Sequence, residues 1–534
     1  MSDNTLTCGM ALVRLLETYG VDTVFGVPGV HTLELYRGLV GSPVRHVLTR
    51  NEQGASFMAD GYARATGKPG VCFVITGPGV TNASTGIAEA YADSVPLLCI
   101  SSVGPVETLG KGWGELHEMD DQRASTAPFT AFSATALTAE EVPGLIHRAF
   151  AVFSSGRPRP VHIEVPLDVL GHAVDAQWQP VGLPERAAPA EAAVSEAAKL
   201  LNDAAKPLIF AGGGAIPASG ALSALAEKLA APVLMTTAGN GVVAESHALS
   251  LGPRMTSDAV RRYAMEADVV LAIGTEWATF EGSLKGALDV AGTVIRVDID
   301  ARKLVDRVPA KVAICADSGK TAQALLNTVK DAGDPARKAA ADLVKIIRAD
   351  SDAALPALNQ KHMRIGKLTQ EILPDDAVLV TDMTQIAYSF RANLGWEKPR
   401  QFLHPKGFGT LGYGLPAAVG AQVGRPDVPV VIFAGDGGLM YTVEEMLTAA
   451  DEKANIVLVV WHNNSLADIR DFFVMTDIDP IAVSPLAPDF VAMAKSMHWD
   501  GVRATTPEEY RAALSAALAG DKPTLIEIHE SDEY

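Results

Sequence analysis

"VPVVIFAGDGGLMYTVEEMLTAADEKANIVLVVWHNN", Val428 to Asn464, decides the fold. An apolar run enters glycines, "YTVEEMLTAADEKA" places apolar residues at helical spacing, and "NIVLVVWHNN" is apolar again. A strand, a helix and a second strand of these lengths make a βαβ unit, whose strands lie parallel in one sheet. Asp436 and Asn464 then both sit at carboxyl ends of neighbouring strands, where open α/β sheets bind ligands. A carboxylate, an amide oxygen and a backbone carbonyl just past Asn464 suit Mg²⁺ or Ca²⁺, which take oxygen donors and complete their shells with substrate phosphate. Gly437 and Gly438 let the backbone approach that phosphate at a helix N-terminus. The same residues also fit a plain strand-end turn with capping side chains.

Working outward, the same grammar recurs three times. From Leu6 to about Leu170, short β-branched runs such as "GVCFVITGPG" and "PVHIEVP" alternate with helical periodicity. "GHAVDAQWQPVGLPERAAPAEAA" loses the period and reads as a linker. A second series runs from "KPLIFAGGGA" to about Val329, a charged helical connector follows, and a third runs from "AVLVTDM" to the end. The expectation is three consecutive α/β domains with mainly parallel sheets: 1–170, a Rossmann-like 190–330, and 355–534.

Composition limits the function. Lys+Arg 44 against Asp+Glu 63 leaves a net charge of −19, which argues against nucleic acid or an anionic membrane surface as partner. The four cysteines are scattered, mostly in apolar runs, so neither a metal cluster nor a disulfide framework is indicated. The start lacks a basic region followed by a long apolar core, and no later apolar run is long enough to span a bilayer. A cytoplasmic protein is the expectation.

"LTRNEQGASFMADGYARATGKPGVCFVITGPGVTN" places Glu52 at a strand mouth ahead of a helix and supplies another glycine-rich strand end from Gly77 to Asn82. A glutamate in a first helical turn is also a common dipole partner or cap. Taken together, the two segments resemble the thiamine-diphosphate enzymes of the acetolactate synthase and 2-oxo-acid decarboxylase superfamily, over essentially the whole chain. That family has three α/β domains in this order and a GDG motif followed after about thirty residues by NN.

The resemblance implies roles residue by residue. Asp436, Asn464 and the carbonyl of Leu466 match the Mg²⁺ ligands that hold the diphosphate, although spacing leaves Asn463 as a rival to Asn464. Glu52 matches the glutamate that hydrogen-bonds the aminopyrimidine, so that the exocyclic nitrogen can take the thiazolium proton. In "GFGTLGYGLPAAVGA", Leu411 matches the apolar side chain wedged between the two rings and Gly409 the carbonyl that meets the pyrimidine amino group. Gly435, Gly437, Gly438 and Gln385 complete the implied cofactor contacts. In this family the glutamate and the metal motif come from different subunits, which implies a homodimer or homotetramer with the active site at the interface.

Members differ in whether a proton or a second carbonyl compound ends the reaction. His117, with Glu118 beside it, stands where acetolactate synthases carry a glutamine, and the pair is a candidate proton relay. "NNSLADIRDFFVM" lacks their tryptophan-bearing run, and Val30-His31 replaces their glycine-alanine. The pattern resembles most closely the 5-guanidino-2-oxopentanoate decarboxylases, with carboligation as the alternative. Such a cationic 2-oxo acid calls for a carboxylate partner, and Glu115, Glu118, Asp120, Asp121, Asp468 and Asp471 are available. In the central domain, "PLIFAGGGAIPASG" allows a nucleotide site, but "GTEWATFEG" and "LGPRMTS" replace the elements with which acetolactate synthases bind FAD. FAD is therefore not expected.

Overall fold

The computed structural model describes residues 6–175, 177–279 and 285–534. Each of the three βα series closes into a six-stranded, all-parallel sheet. The first sheet contains β1 (Thr23–Gly26), β2 (Arg45–Leu48), β3 (Gly70–Val74), β4 (Leu97–Val103), β5 (Phe132–Thr135) and β6 (Val161–Pro166), in the order β2-β1-β3-β4-β6-β5. The second contains β7 (Pro207–Ala211), β8 (Val233–Met235), β9 (Ser250–Gly252), β10 (Val269–Ile273), β11 (Thr293–Asp298) and β12 (Val312–Cys315), ordered β12-β11-β10-β7-β8-β9. The third contains β13 (Val378–Thr381), β14 (Phe402–Leu403), β15 (Val430–Gly435), β16 (Ile456–His462), β17 (Asp500–Arg503) and β18 (Thr524–His529), ordered β14-β13-β15-β16-β18-β17.

The outer sheets share one strand order, while the central sheet follows the doubly wound order in which chain direction reverses between β7 and β10. Helices cover both faces of each sheet, so β3, β4, β15 and β16 are buried along their whole length. Their near-continuous Val, Ile and Leu content follows from that double burial. The charged connector is helical as expected, Asp334–Ala353, and a second helix, Ala357–Ile372, starts directly after Pro356. Among the described residues, no helix is long and apolar enough to cross a membrane.

The first and third domains share one hydrophobic core, in which Phe57, Met58 and Ile87 pack with Leu415, Ala418 and Val460. At its centre, helix Glu52–Thr66 crosses helix Gly414–Gly424 backbone to backbone. A Cβ on Gly61 would lie 2.0 Å from the Ala417 carbonyl oxygen, and one on Gly420 would lie 1.9 Å from that of Met58. No side chain fits either position. Gly61→Ala should therefore lower the apparent melting temperature, at a cost of about 1–3 kcal/mol for forced overpacking. An unchanged melting curve would mean that the crossing is looser than these distances.

Candidate functional site

In the third domain, β15 and β16 run in parallel register, Gly435 beside Trp461, and so bring "GDG" against "HNN". Asp436 is buried, and its carboxylate accepts three backbone N–H groups: Gly437 at 2.8 Å on Oδ1, and Asn464 at 2.6 Å and Asn463 at 3.2 Å on Oδ2. Asn464 has φ +53°, a left-handed conformation that asparagine tolerates better than most residues. Its Oδ1 lies 3.0 Å from His462 Nε2, which is itself 3.7 Å from Asp436 Oδ2. Asn463 points elsewhere, its amide donating to Glu530 at 3.0 Å and to Gln385 at 3.3 Å. The Leu466 carbonyl accepts the Arg470 N–H at 3.0 Å as the first turn of helix Ala467–Met475 and keeps its second lone pair. A carboxylate, an amide oxygen and a carbonyl gathered at one strand-end rim fit a hard divalent cation.

Asp382, a residue that the motif reading passed over, holds this half together. It follows β13, is buried, and accepts the N–H groups of Met383 at 2.7 Å, Gly412 at 3.1 Å and Gly414 at 3.0 Å. The loop that carries Gly409 and Leu411 is thereby pinned to the strand end beside Gly435 and Gly438. Gly409 and Gly412 have φ of +71° and +82°, which explains their glycine identity. A Cβ on Gly438 would lie 3.1 Å from Asp382 Oδ1 and 3.6 Å from Leu411 Cδ2. Gln385 opens helix Gln385–Asn393 and hydrogen-bonds the half-buried Asp468, whose pKa is raised by burial and by Asp471.

The first domain supplies the other half. Glu52 starts its helix behind the Asn51 cap and accepts the Asn82 side-chain amide at 3.0 Å. His117 has φ +65°, and its Nδ1 lies 3.1 Å from the Thr76 carbonyl oxygen, which sets it against the loop at Gly77. Glu118 does not partner it. Its carboxylate accepts the N–H groups of Trp113, Gly114 and Glu115, so it shapes its own loop, and the expected His–Glu relay is not formed. The ring beside His117 is His31, with centroids 5.3 Å apart and a buried, unpartnered Nδ1. Burial, with the neighbouring His117 adding, lowers the His31 pKa. Sequence reading marked His31 only as a departure, since a lone histidine on a loop carries no signal of its partner.

Of the remaining candidate carboxylates, Asp121 caps helix Gln122–Thr126 and pairs with Arg123, and Asp471 pairs with Arg470. Glu115 and Asp120 lie on the same loop as His117, Glu115 exposed.

The segment ahead of Glu52 meets the third domain at Glu445, whose carboxylate accepts the Arg50 and Asn51 N–H groups at 3.1 Å. Helix Pro78–Ala92 touches Glu52 through Asn82 near its start, and Thr410 through Glu89 near its end, where the Thr410 hydroxyl donates at 3.3 Å. Asn82 and Glu89 are seven positions apart on the helix, about 10 Å along the axis. Apolar side chains rim both mouths in the open, Val30, Leu33 and Trp113 at one, Met440, Tyr441 and Leu486 at the other.

A separate cleft of about 360 Å³ opens at the β7/β10 reversal, lined by Gly213, Gly214, Thr275 and Asp298. Arg157, Arg159 and Lys303 all turn to Glu276 there. Phe280 to Gly282 of the run considered for FAD lie outside the described residues.

Asp382 generates a pH prediction. Burial pushes its pKa up to about 6, against the partial relief of three amide donors. A raised carboxyl pKa means that the folded state favours the proton, so as pH falls through about 6 the group protonates and gives up acceptor capacity. Affinity for a ligand seated on the Gly409–Gly414 loop should weaken over that range. Asp382→Asn should weaken it at pH 8 by roughly tenfold or more, from one unpaired buried amide, and should remove Asp382's share of the acid-side change. Parallel titrations of wild type and variant by calorimetry check this.

Comparison with known proteins agrees with the geometry. Residues 6–125 match the N-terminal TPP binding domain of thiamine pyrophosphate enzymes, 194–325 their central domain, and 382–528 their C-terminal TPP binding domain. The chain is 49% identical over 530 residues to a protein of Pseudomonas aeruginosa named probable 2-ketoarginine decarboxylase AruI, covering 99% of this chain and 94% of the relative. It is 33% identical over 530 residues to the acetolactate synthase isozyme 2 large subunit of Escherichia coli, covering 97% and 94% of the two chains. With the acetolactate synthase large subunit of Parasynechococcus marenigrum the identity is 32% over 547 residues, 98% of this chain and 88% of that one. Two half-sites of complementary chemistry at the carboxyl ends of like sheets, matched along nearly the whole length, place this chain in the thiamine pyrophosphate enzyme family, within the superfamily of acetolactate synthases and 2-oxo-acid decarboxylases.

Proposed function

We propose that this enzyme decarboxylates a cationic 2-oxo acid without oxidation, releasing CO₂ and an aldehyde, with 5-guanidino-2-oxopentanoate (2-ketoarginine) as substrate. The observation that carries the reading is Asp468, a half-buried carboxylate hydrogen-bonded to Gln385 beside the metal half-site. A guanidinium is planar and permanently charged, so it selects such a carboxylate. The name of the Pseudomonas aeruginosa relative points to the same substrate.

Asp436 Oδ, Asn464 Oδ1 and the Leu466 carbonyl would hold Mg²⁺ against the diphosphate, while Gly435, Gly437 and Gly438 let the backbone approach it. The Gly409 carbonyl and the Leu411 side chain would seat the two rings, and Glu52 would hold a proton at the pyrimidine. Bound thiamine diphosphate supplies the electron sink for loss of CO₂. His117 and His31 stand at the Glu52 mouth, where an imidazole N–H can deliver the proton that ends the reaction in an aldehyde. We read the central cleft as unsuited to a flavin dinucleotide, because Arg157 in its lining is engaged by Glu276 and Arg186 by Asp317.

We further propose a homodimer, or a dimer of dimers, in the cytoplasm. The support is the separation of Glu52 from Gly409–Leu411 along helix Pro78–Ala92 and the exposed apolar rims at both mouths. Mixing Glu52→Gln chains with Asp436→Ala chains should then restore on the order of a quarter of wild-type activity, since half of the dimers are mixed and each has one intact site. No recovery after subunit exchange would place both residues in one chain's site.

The substrate assay compares kcat/KM for 5-guanidino-2-oxopentanoate and pyruvate, with product identified. The guanidino acid should be preferred, and Asp468→Asn should cut that preference by roughly tenfold or more, with little effect on pyruvate. Efficient acetolactate formation from pyruvate without added FAD would instead establish the carboligase reading that the acetolactate synthase relatives favour.

A further inference from the structure

Glu52 opens a first-domain helix, yet the turn that delivers it is gripped by the third domain. β2, which leads into that turn, is an edge strand, with one side free of strand partners. Helix Glu445–Asp451 of the third domain meets it along this seam. Arg45 pairs with Glu452, Arg50 pairs with Asp451, and the Thr448 hydroxyl donates to the Leu48 carbonyl at 3.4 Å.

Glu445, the first residue of that helix, is fully buried in the seam. Its Oε1 accepts the N–H groups of Arg50 and Asn51, each at 3.1 Å, and its Oε2 accepts the Thr448 hydroxyl at 2.5 Å. Gly54 leaves it room, since a Cβ there would lie 2.0 Å from Oε1. Burial pushes the Glu445 pKa up to about 7, against the pull of Thr448, Arg50 and Asn51, so at pH 8 the group is mostly a carboxylate.

Burying a carboxylate is costly unless its hydrogen bonds compensate, and the partners of Glu445 are main-chain amides rather than a cation. The exposed ion pairs beside it are screened by water and hold the backbone weakly. Asn51, whose N–H Glu445 takes, is also the cap of helix Glu52–Thr66, with its side chain accepting the Gln53 N–H at 2.9 Å. Fixing Asn51 fixes the helix start, and Glu52 is the next residue. On the other side, the Thr442 hydroxyl donates to the Gly412 carbonyl at 2.7 Å, and the Thr442 carbonyl accepts the Glu445 N–H. The turn from Thr442 to Glu445 thus holds the Gly409–Gly414 loop at one end and the Glu52 turn at the other.

We propose that Glu445 is a positioning residue for Glu52, its buried carboxylate setting the strand-to-helix turn from which the Glu52 carboxyl is aimed. The inference rests on the role proposed for Glu52 above and adds what fixes its aim. Proton sharing at hydrogen-bond distance is sensitive to displacements of about 1 Å, so a relaxed turn costs rate more than it costs cofactor affinity.

The test uses the full chain with thiamine diphosphate and Mg²⁺ at pH 8, following deuterium exchange at the thiazolium carbon of bound cofactor by quenched-flow NMR, with affinity measured separately by calorimetry. Glu445→Leu, which removes the acceptor, should slow exchange by roughly tenfold or more while the cofactor still binds. Glu445→Gln keeps an amide oxygen for the two N–H groups and should restore exchange to within about threefold of wild type. Arg45→Ala, which breaks only the neighbouring ion pair with Glu452, should leave exchange unchanged. Exchange at the wild-type rate in Glu445→Leu overturns the proposal; if that variant fails to fold, the same result in Glu445→Asp, which draws the carboxylate back by one methylene, overturns it equally. Slowing in Arg45→Ala as large as in Glu445→Leu assigns the effect to domain docking at large and also overturns it. Unchanged exchange in Glu52→Gln overturns the Glu52 reading and this inference together.

Discussion

The site depends on one buried carboxylate. Asp436 takes backbone N–H groups from its own helix start and from the end of the neighbouring strand, three in all. A buried carboxylate with its oxygens so engaged is compensated for desolvation, and hydrogen bonds to an ionised acceptor are the stronger kind. The clasp fixes the end of β16 against that of β15. Asn464 there takes its left-handed conformation, its amide oxygen meets His462, and Asn463 faces Gln385 and Glu530.

Asp382 repeats the device one strand over, gathering three amides from two segments at the β13 end. Between them, the two aspartates turn glycine-rich connections, which otherwise carry high conformational entropy, into a single rim. The glycines serve close approach and the aspartates supply order. The first domain uses a neutral version: buried Gln122 accepts the Gly77 N–H at 2.7 Å and donates to Ser102 and Glu164, which holds the loop that His117 leans on.

Division of the site between ends of the molecule follows from the same packing. Helices Glu52–Thr66 and Gly414–Gly424 cross too closely to slide, and helix Pro78–Ala92 spans the shared core as a strut. Glu52 at one end and Thr410 at the other are thereby held apart in one chain. Thr410 is itself buried against Glu89, and in the proposed dimer a second copy is what brings complementary halves together.

Local pattern alone determined the three βα series, the parallel sheets, and the GDG and NN segments at neighbouring strand ends. Hydrophobic period and glycine position are properties of short stretches, and they survive folding unchanged. The tertiary structure decided where side chains on loops point, because that depends on backbone turns and on neighbours distant in sequence. Glu118 is adjacent to His117 in sequence, yet three amides of its own loop capture it, while His31, far away in sequence, lies against the imidazole. Asp382 looked like any strand-end acid until the loop from Gly409 to Gly414 folded onto it. His462 read as the tail of an apolar strand. Only the register of β16 against β18 set Glu527 and His529 beside it, since cross-strand pairing joins residues that no local period relates.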